Sequence, residues 1–277
     1  MKTVQIYDQT IRIDKRADYW QAVADGSWEP NTFKILNRFI KNDSFLDIGA
    51  WIGSVSLYAA FTAKNVYSFE PDPIAVRELK ENLSLNPVLK KKIDLVEKAV
   101  TADGENLNIY CRNNFGDSAS SMLSRSWDKG AQVEVEALLL EDFIKEKDIQ
   151  DIGLIKVDIE GGEFSVIPAI QNVLKTYQPT LYLSFHFPYL FESILKENYK
   201  HRQVRRVVSF LDRRLSMKFV LTRTRKRAVD QLKTLLESLS FYSFIYRENG
   251  ELISSKELID YEILNGFTSL VFTNEGW

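Results

Sequence analysis

The sequence predicts an α/β domain built on a mainly parallel sheet with an antiparallel edge. Short apolar runs suited to buried strands recur along the 277 residues: "SFLDIG" (44–49), "NVYSFEP" (65–71), "IDLVEKAV" (93–100), "LIKVDIEGG" (154–162) and "PTLYLSFHF" (179–187). Stretches of helical spacing alternate with them, and such alternation calls for crossovers between parallel neighbours. The last two runs, "FYSFIY" (241–246) and "FTSLVFT" (267–273), are joined by about twenty residues and suit an antiparallel edge.

Each element has its own signal. "QIYDQTIRI" (5–13) alternates polar and apolar residues and reads as a strand. "PNTFKILNRFI" (30–40) places Phe33, Leu36 and Ile40 on one side of a helix. Ser54 to Ala63 reads as the helix after the first buried strand. "PIAVRELKENLSLN" (73–86) has Val76, Leu79 and Leu83 at i, i+3 and i+7. "LNIYC" and "QVEVEAL" read as strands around the polar loop "RNNFGDSASSM" (112–122), and a helix follows Gly162. The whole chain, 1–277, is expected to form one domain, with an N-terminal extension (1–42) and a basic helical insert at about 190–238.

Composition narrows the class. A hydrophobic content of 45 % is ample for a core, and a net charge of −2 gives no overall attraction to nucleic acid or anionic membrane. Cys111 is the single cysteine, which excludes an intramolecular disulfide and a cysteine zinc cluster. No apolar run approaches the ~20 residues of a membrane span. The first twenty residues are too charged for a signal peptide, so a cytoplasmic location is expected.

In an open parallel sheet, ligands bind at the carboxyl ends of the strands. Four polar clusters fall there: Asp47-Ile48-Gly49, Phe69-Glu70-Pro71-Asp72, Asp158-Ile159-Glu160-Gly161-Gly162 and Ser184-Phe185-His186. The first opens the turn D-x-G-x-x-x-G, Asp47 to Gly53. Gly49 permits a tight turn and Gly53 a close approach. Counted from Gly49, the dinucleotide pattern G-x-G-x-x-G meets Trp51 and Ser54 where glycines are required. A pyrophosphate needs that bare backbone; a ligand without phosphate does not. Glu70 ends the next strand, where a carboxylate can accept both hydroxyls of a ribose. Adenosine without a phosphate requirement points to S-adenosylmethionine, with S-adenosylhomocysteine as product. The turn residues Asp47, Gly49, Ala50, Trp51 and Gly53 would hold its methionine part. Glu70 and Asp72 would stand at the ribose. Asp117 and Ser118 would form a wall beside the adenine or the substrate, unless their loop is a hairpin connection without contact.

The succession "FLDIGAWIG", "SFEPDP" and "LIKVDIEGGE" resembles the FkbM family of S-adenosylmethionine-dependent methyltransferases. "WEPNTFKIL" before it and "LYLSFHF" after it are similar to that family too, so the resemblance covers residues 28–187. It implies a class I, Rossmann-like methyltransferase fold with a seven-stranded, mostly parallel sheet. It also implies methyl transfer, usually to oxygen, with a sugar or other natural-product hydroxyl as acceptor. Two positions depart from the family pattern. Trp51 stands where a small polar residue, often Asn, is usual; it either packs over the cofactor or caps the turn. Ser184 stands where the family often has a glutamate, which puts in doubt a mechanism needing a carboxylate there.

The remaining candidates concern the chemistry. Asp158 either pairs with Lys156 to order its loop or lies beside the acceptor hydroxyl; Glu160 would bind the helix start or the substrate. His186 would act as a base near neutral pH or rest hydrogen-bonded in the core. Asp158, Glu160 and His186 together could bind a divalent cation, though no metal is favoured. Residues 196–227 carry twelve Lys and Arg residues against Glu197 and Asp212. This stretch reads as a solvated face or as a lid over an anionic acceptor; its stripe is Val204, Val207, Val208, Leu211 and Leu215. An RNA methyltransferase using these bases, a nicotinamide-dependent oxidoreductase and a non-catalytic adenosyl-binding scaffold are the competing readings. Nucleic acid is disfavoured because no N-P-P-[YF] motif is present and the rest of the chain is acidic.

Overall fold

A computed structural model of the chain describes residues 2–111, 114–125, 128, 132–201, 203–205, 207, 222–254, 263–264 and 266–277. It begins with strands β1 (Lys2–Ile6) and β2 (Gln9–Ile13) and helices α1 (Ala17–Ala24) and α2 (Thr32–Phe39). Then follow β3 (Ser44–Ile48), α3 (Ser54–Ala59), β4 (Asn65–Phe69), α4 (Pro73–Leu85), α5 (Pro87–Lys90) and β5 (Ile93–Val96). Short strands β6 (Ala99–Val100), β7 (Leu107–Tyr110), β8 (Gln132–Val135) and β9 (Ala137–Leu138) come next. The chain continues through α6 (Leu140–Glu146), β10 (Ile152–Val157), α7 (Glu163–Ala169), α8 (Gln171–Tyr177), β11 (Thr180–His186) and α9 (Phe187–Asn198). The last elements are α10 (Thr222–Ser238), β12 (Phe244–Arg247) and β13 (Phe267–Thr273).

The central sheet has seven strands in the order β12-β13-β11-β10-β3-β4-β5. From β11 to β5 the neighbours are parallel, whereas β13 runs antiparallel between β11 and β12. This is the expected seven-stranded Rossmann-like sheet, with the last two strands as an antiparallel pair at one edge. Both faces are covered, which is why the strands read as continuous apolar runs. Leu46, Ile155 and Leu183 point into one core layer with Phe164, Leu232 and Leu235. Phe45, Leu154 and Tyr182 point into the opposite layer with Trp20, Phe33 and Leu79.

Two expectations need correction. Residues 5–13 are not one strand: β1 and β2 form a hairpin turning at Tyr7 and Asp8, with Tyr7 at φ 52. The run 93–100 divides, because β6 leaves the central sheet to pair with β9. In the basic insert, α10 is a core helix packed on α7 and α9, with Ala228, Leu232 and Leu235 buried. Arg202, Arg206, Arg213, Arg214 and Lys218 of that insert lie outside the described residues, as do Val208, Leu211 and Leu215.

The close approach of β3 and β10 at their carboxyl ends depends on Gly49. Its φ is +89, and a Cβ there would meet the Asp158 carbonyl oxygen at 1.9 Å. Gly53, at φ +86, would bring its Cβ to 3.0 Å from the flexible Leu79 side chain. Gly53→Ala should therefore cost about the 1–2 kcal/mol of a left-handed L-residue. Gly49→Ala should cost clearly more, because backbone has to move. Urea unfolding of both variants checks this; equal losses would refute the steric account.

Candidate active site

Four of the parallel strands end around one cavity of about 430 Å³, within the usual range for small-molecule sites. β3 contributes Ile48 and the turn residues Gly49, Ala50 and Trp51; β4 contributes Phe69 and Glu70. β10 supplies Lys156 and the turn after it Asp158 and Glu160, and β11 supplies Ser184, Phe185 and His186. Because β13 is antiparallel, its first residues, Phe267–Ser269, lie at the same end. Asp117 and Ser118 are also in the wall. Glu70 and His186 end strands that are three steps apart, so they stand about 14 Å from one another across the sheet.

At the β4 side, the turn is held by its own backbone. The N–H groups of Gly49 and Ala50 both donate to the Phe69 carbonyl at 3.0 Å, and that of Gly53 donates to Ala50. The Trp51 N–H donates to Glu70 Oε2 at 2.8 Å, and the Asp72 N–H donates to Glu70 Oε1 at 2.8 Å. These donors are committed, so the turn is a poor nest for a phosphate. Burial pushes the Glu70 carboxyl up to about 7, against the two amide donors. Trp51 has a left-handed φ of 48. Its indole N–H donates to the Gly116 carbonyl at 3.0 Å, Tyr19 packs edge-on against its ring, and the Arg16 guanidinium lies over it. Trp51 thus lines the cavity and also fastens the loop opposite to the turn.

Three of the expected cofactor residues have other surroundings. Asp47 is wholly buried beneath the turn: Ser56 donates to its Oδ2 at 2.5 Å, and Lys156 Nζ is 3.9 Å from its Oδ1. Gly53 begins α3 against Leu79 and is outside the cavity wall. Asp72 caps α4 by accepting from Ile74 and Ala75, and its Oδ2 accepts from Gly116 N–H and Ser120 Oγ. It positions the loop carrying Asp117 and Ser118 rather than facing the cavity.

At the β11 side, charge is concentrated. Lys156 is 4 % exposed, with Asp158 Oδ2 at 3.2 Å. Burial alone would lower the lysine pKa, but Asp158, Asp47 and Glu29 together raise it, so the ammonium stays charged. Burial also pushes Asp158 up, yet Lys156 and His186 outweigh that and hold it below the usual carboxylate value. Burial drives Glu160 up to about 8. For His186, burial works downward, and the Glu163, Glu160 and Asp158 carboxylates raise its pKa to about 10. In the absence of a bound cation, those carboxylates therefore favour the protonated imidazole. Glu163 is the reason: it is wholly buried, accepts from the His186 and Gly161 N–H groups, and lies 3.4 Å from His186 Nδ1.

Several wall residues had no role in the sequence reading. Tyr19, Trp28 and Glu29 come from the first 42 residues, Tyr189 from α9, and Glu248 from the turn after β12. Glu29 sits within "WEPNTFKIL", and Glu163 within "LIKVDIEGGE", so both were in view as motif letters. Glu248 had no local signal. It is fixed by Tyr182, whose hydroxyl donates to it and lies 2.9 Å from Thr32 Oγ1. Among the described residues, the wall carries Glu29, Glu70, Asp117, Asp158, Glu160 and Glu248 against Lys98, Lys156 and His186. None of the described residues in 190–238 lines it.

Lys156 is the countercharge for both Asp47 and Asp158. Lys156→Met should destabilise the fold by about 3–5 kcal/mol, since Asp47 is left buried and uncompensated. Lys156→Met combined with Asp47→Asn should recover part of that loss. Denaturant titrations of the three variants give the coupling; strictly additive losses would refute the pairing.

The comparisons with known proteins cover the part of the chain that carries most of these residues. The model of the "Methyltransferase FkbM domain" matches residues 47–221. The 31-O-demethyl-FK506 methyltransferase FkbM of Streptomyces tacrolimicus is 24 % identical over 156 residues, which are 47 % of this chain and 60 % of the relative. A crystal structure of Methyltransferase FkbM from Methylobacillus flagellatus KT is 16 % identical, covers 63 % of this chain and 46 % of its own, and has a TM-score of 0.34. A precorrin 8W decarboxylase structure from Methanobacterium thermoautotrophicum is also 16 % identical, with 89 % of each chain covered and a TM-score of 0.39. The family match takes in the glycine turn, Glu70, the Asp158–Glu160 strand end and His186 within well over half of the sequence, and the chain belongs to the FkbM methyltransferase family.

Proposed function

We propose that the protein transfers a methyl group from S-adenosylmethionine to a hydroxyl oxygen of a small, neutral, polyhydroxylated acceptor such as a sugar unit. The observation that supports it most is the division of one cavity. A ribose-ready carboxylate, Glu70, stands at one side, and the Asp158–Glu160–His186 cluster stands three strands away. The turn favours the adenosyl ligand over a dinucleotide because its N–H groups are already used within the protein. Glu70 keeps lone pairs free on both oxygens after accepting from Trp51 and Asp72. The surplus of carboxylates suits the positive sulfonium, which supplies the methyl group.

In the reaction, the acceptor oxygen attacks the methyl carbon in line. The S–C bond breaks and its electron pair stays on sulfur, so the cofactor leaves as a neutral thioether. The acceptor's proton passes to the Asp158 carboxylate, which Lys156 and His186 keep ionised. Most of the acceleration would come from holding the two reactants in line. Trp28, Tyr189 and Phe267 give the wall flat apolar faces for a ring, beside carboxylates that accept from hydroxyls. The same acid surplus speaks against an anionic acceptor. It also supports a second reading, transfer to an amine. Turnover with neutral sugars, phosphosugars and amines in parallel separates the two, and exclusive turnover of phosphosugars would refute both.

Two further outcomes are expected. The protein should bind S-adenosylhomocysteine at micromolar concentration by calorimetry, with no comparable binding of NAD. Ribose hydroxyls favour the ionised Glu70, whereas without them the carboxyl holds a proton below about pH 7. Affinity should therefore rise with pH up to about 7, by as much as tenfold per unit, and level off above it. Glu70→Gln should weaken binding and flatten this profile; an unchanged slope would move the ribose elsewhere. Asp158→Asn should lower turnover by about 10²–10⁴-fold while leaving S-adenosylhomocysteine affinity nearly unchanged. Equal losses in both would return Asp158 to a purely structural pairing with Lys156.

A further inference from the structure

We infer that Asp158, Glu160 and His186 form a binding site for one divalent metal ion at the acceptor side of the cavity. The three side chains come from the ends of two adjacent parallel strands, β10 and β11. One ligand atom from each can be chosen so that all lie within 4.8 Å of one another. His186 Nε2 is 3.6 Å from Asp158 Oδ1 and 3.5 Å from Glu160 Oε2. Both are too long for a good N–H···O hydrogen bond, whose mode is about 2.9–3.0 Å. They match two ligands of a shared ion: bonds of about 2.0–2.2 Å at tetrahedral to octahedral angles place neighbouring donors about 3.0–3.6 Å apart.

Two independent observations point to an occupant. His186 is only 9 % exposed, yet neither carboxylate comes to normal hydrogen-bond distance of its Nε2. Behind its ring lies Glu163, which is wholly buried, accepts from the His186 backbone N–H and stands 3.4 Å from Nδ1, itself a buried nitrogen without a hydrogen-bond partner among the described residues. A carboxylate behind a ligating histidine is the usual way of fixing ring orientation at a metal. In addition, Glu160 Oε2 is buried and has no hydrogen-bond partner among the described residues. A buried carboxylate oxygen without a partner is costly unless a cation takes it up.

The donor set fixes the class of ion. One imidazole and two carboxylates suit a divalent ion of mixed nitrogen and oxygen preference, such as Mn²⁺, better than a soft ion. All three residues also line the cavity, so coordination positions remain open towards the acceptor. If the methyl-transfer reading above holds, those positions would take an acceptor hydroxyl and a neighbouring oxygen. The ion would then favour the deprotonated hydroxyl as a Lewis acid. The ion site itself does not rest on that reading.

The test uses the full chain, stripped with chelator and dialysed. Free Mn²⁺ is followed by electron paramagnetic resonance as protein is added, without cofactor or acceptor. Wild type should take up one ion per chain, and Mg²⁺ or Zn²⁺ should compete. Glu160→Gln, Asp158→Asn and His186→Ala should each weaken uptake at least about tenfold. Far-UV circular dichroism and S-adenosylhomocysteine binding are measured on every variant, and Glu160→Gln carries the result if His186→Ala fails to fold. No uptake of Mn²⁺, Mg²⁺ or Zn²⁺ by wild type, or equal uptake by wild type and Glu160→Gln, overturns the site. Metal uptake without adenosyl binding would keep the site and refute the methyltransferase reading. Adenosyl binding and turnover unaffected by chelation, without uptake, would do the reverse.

Discussion

The architecture depends on one buried ammonium. Lys156 lies directly beside Asp47 on β3 and beside Tyr182 on β11, and Asp47 lies beside Ser68 on β4. These four residues form a polar row across the middle of an otherwise apolar sheet. The row is closed by hydrogen bonds: Ser68 donates to Ser56, Ser56 to Asp47, and Tyr182 to Glu248. Burying such charges is expensive, and a well-packed apolar row of the same size could be as stable. What the row adds is register. A one-residue slip of β10 would carry Lys156 into the opposite, wholly apolar layer, so only one pairing satisfies it.

The row also decides where the cavity opens. It lies just short of the carboxyl ends of the strands, and the next residues outward are those of the site: Gly49, Asp158 and His186. Tyr182 reaches both Thr32 and Glu248, so segments before and after the family-matched region meet over the β11 side. This explains how Trp28 and Glu29 enter a wall otherwise made by strand ends. The β4 side is closed differently. Asp72, Trp51 and Arg16 each bind Gly116, and together they hold the loop of Asp117 and Ser118 against the turn.

What could be read from the sequence follows from the range of the forces involved. Strand and helix alternation is local patterning, so a mainly parallel sheet with an antiparallel edge was legible, whereas the seven-stranded fold came from the family resemblance. The capping role of Asp72 was written in Asp72-Pro73, an N-cap followed by a proline in the first turn, although the sequence reading gave Asp72 to the cofactor instead. The β1–β2 hairpin was not legible, because its turn residue at positive φ is Tyr7, a side chain with no turn preference. The charge state of His186 was hidden for another reason. It is set by Glu163, twenty-three residues earlier and on the helix after the neighbouring strand, so only the folded contact reveals it.

The basic stretch 196–227 and the acidic cavity are best understood together. Three of its described cations are used internally: Arg227 pairs with Glu197, Arg205 donates to the carbonyls of Tyr199 and Lys200, and Lys196 to Ser124 and the Arg125 carbonyl. These contacts fasten α9 to α10 and to the loop opposite the turn. Among the described residues, none of this stretch lines the cavity. The local electrostatics at the β11 side is then set by the carboxylates of Glu29, Asp158, Glu160, Glu163 and Glu248 around Lys156 and His186. A wall with that balance of groups suits a cation better than a phosphate. The groups that reach the cavity wall act on a ligand at contact distance, whereas exposed charges elsewhere act through screening solvent.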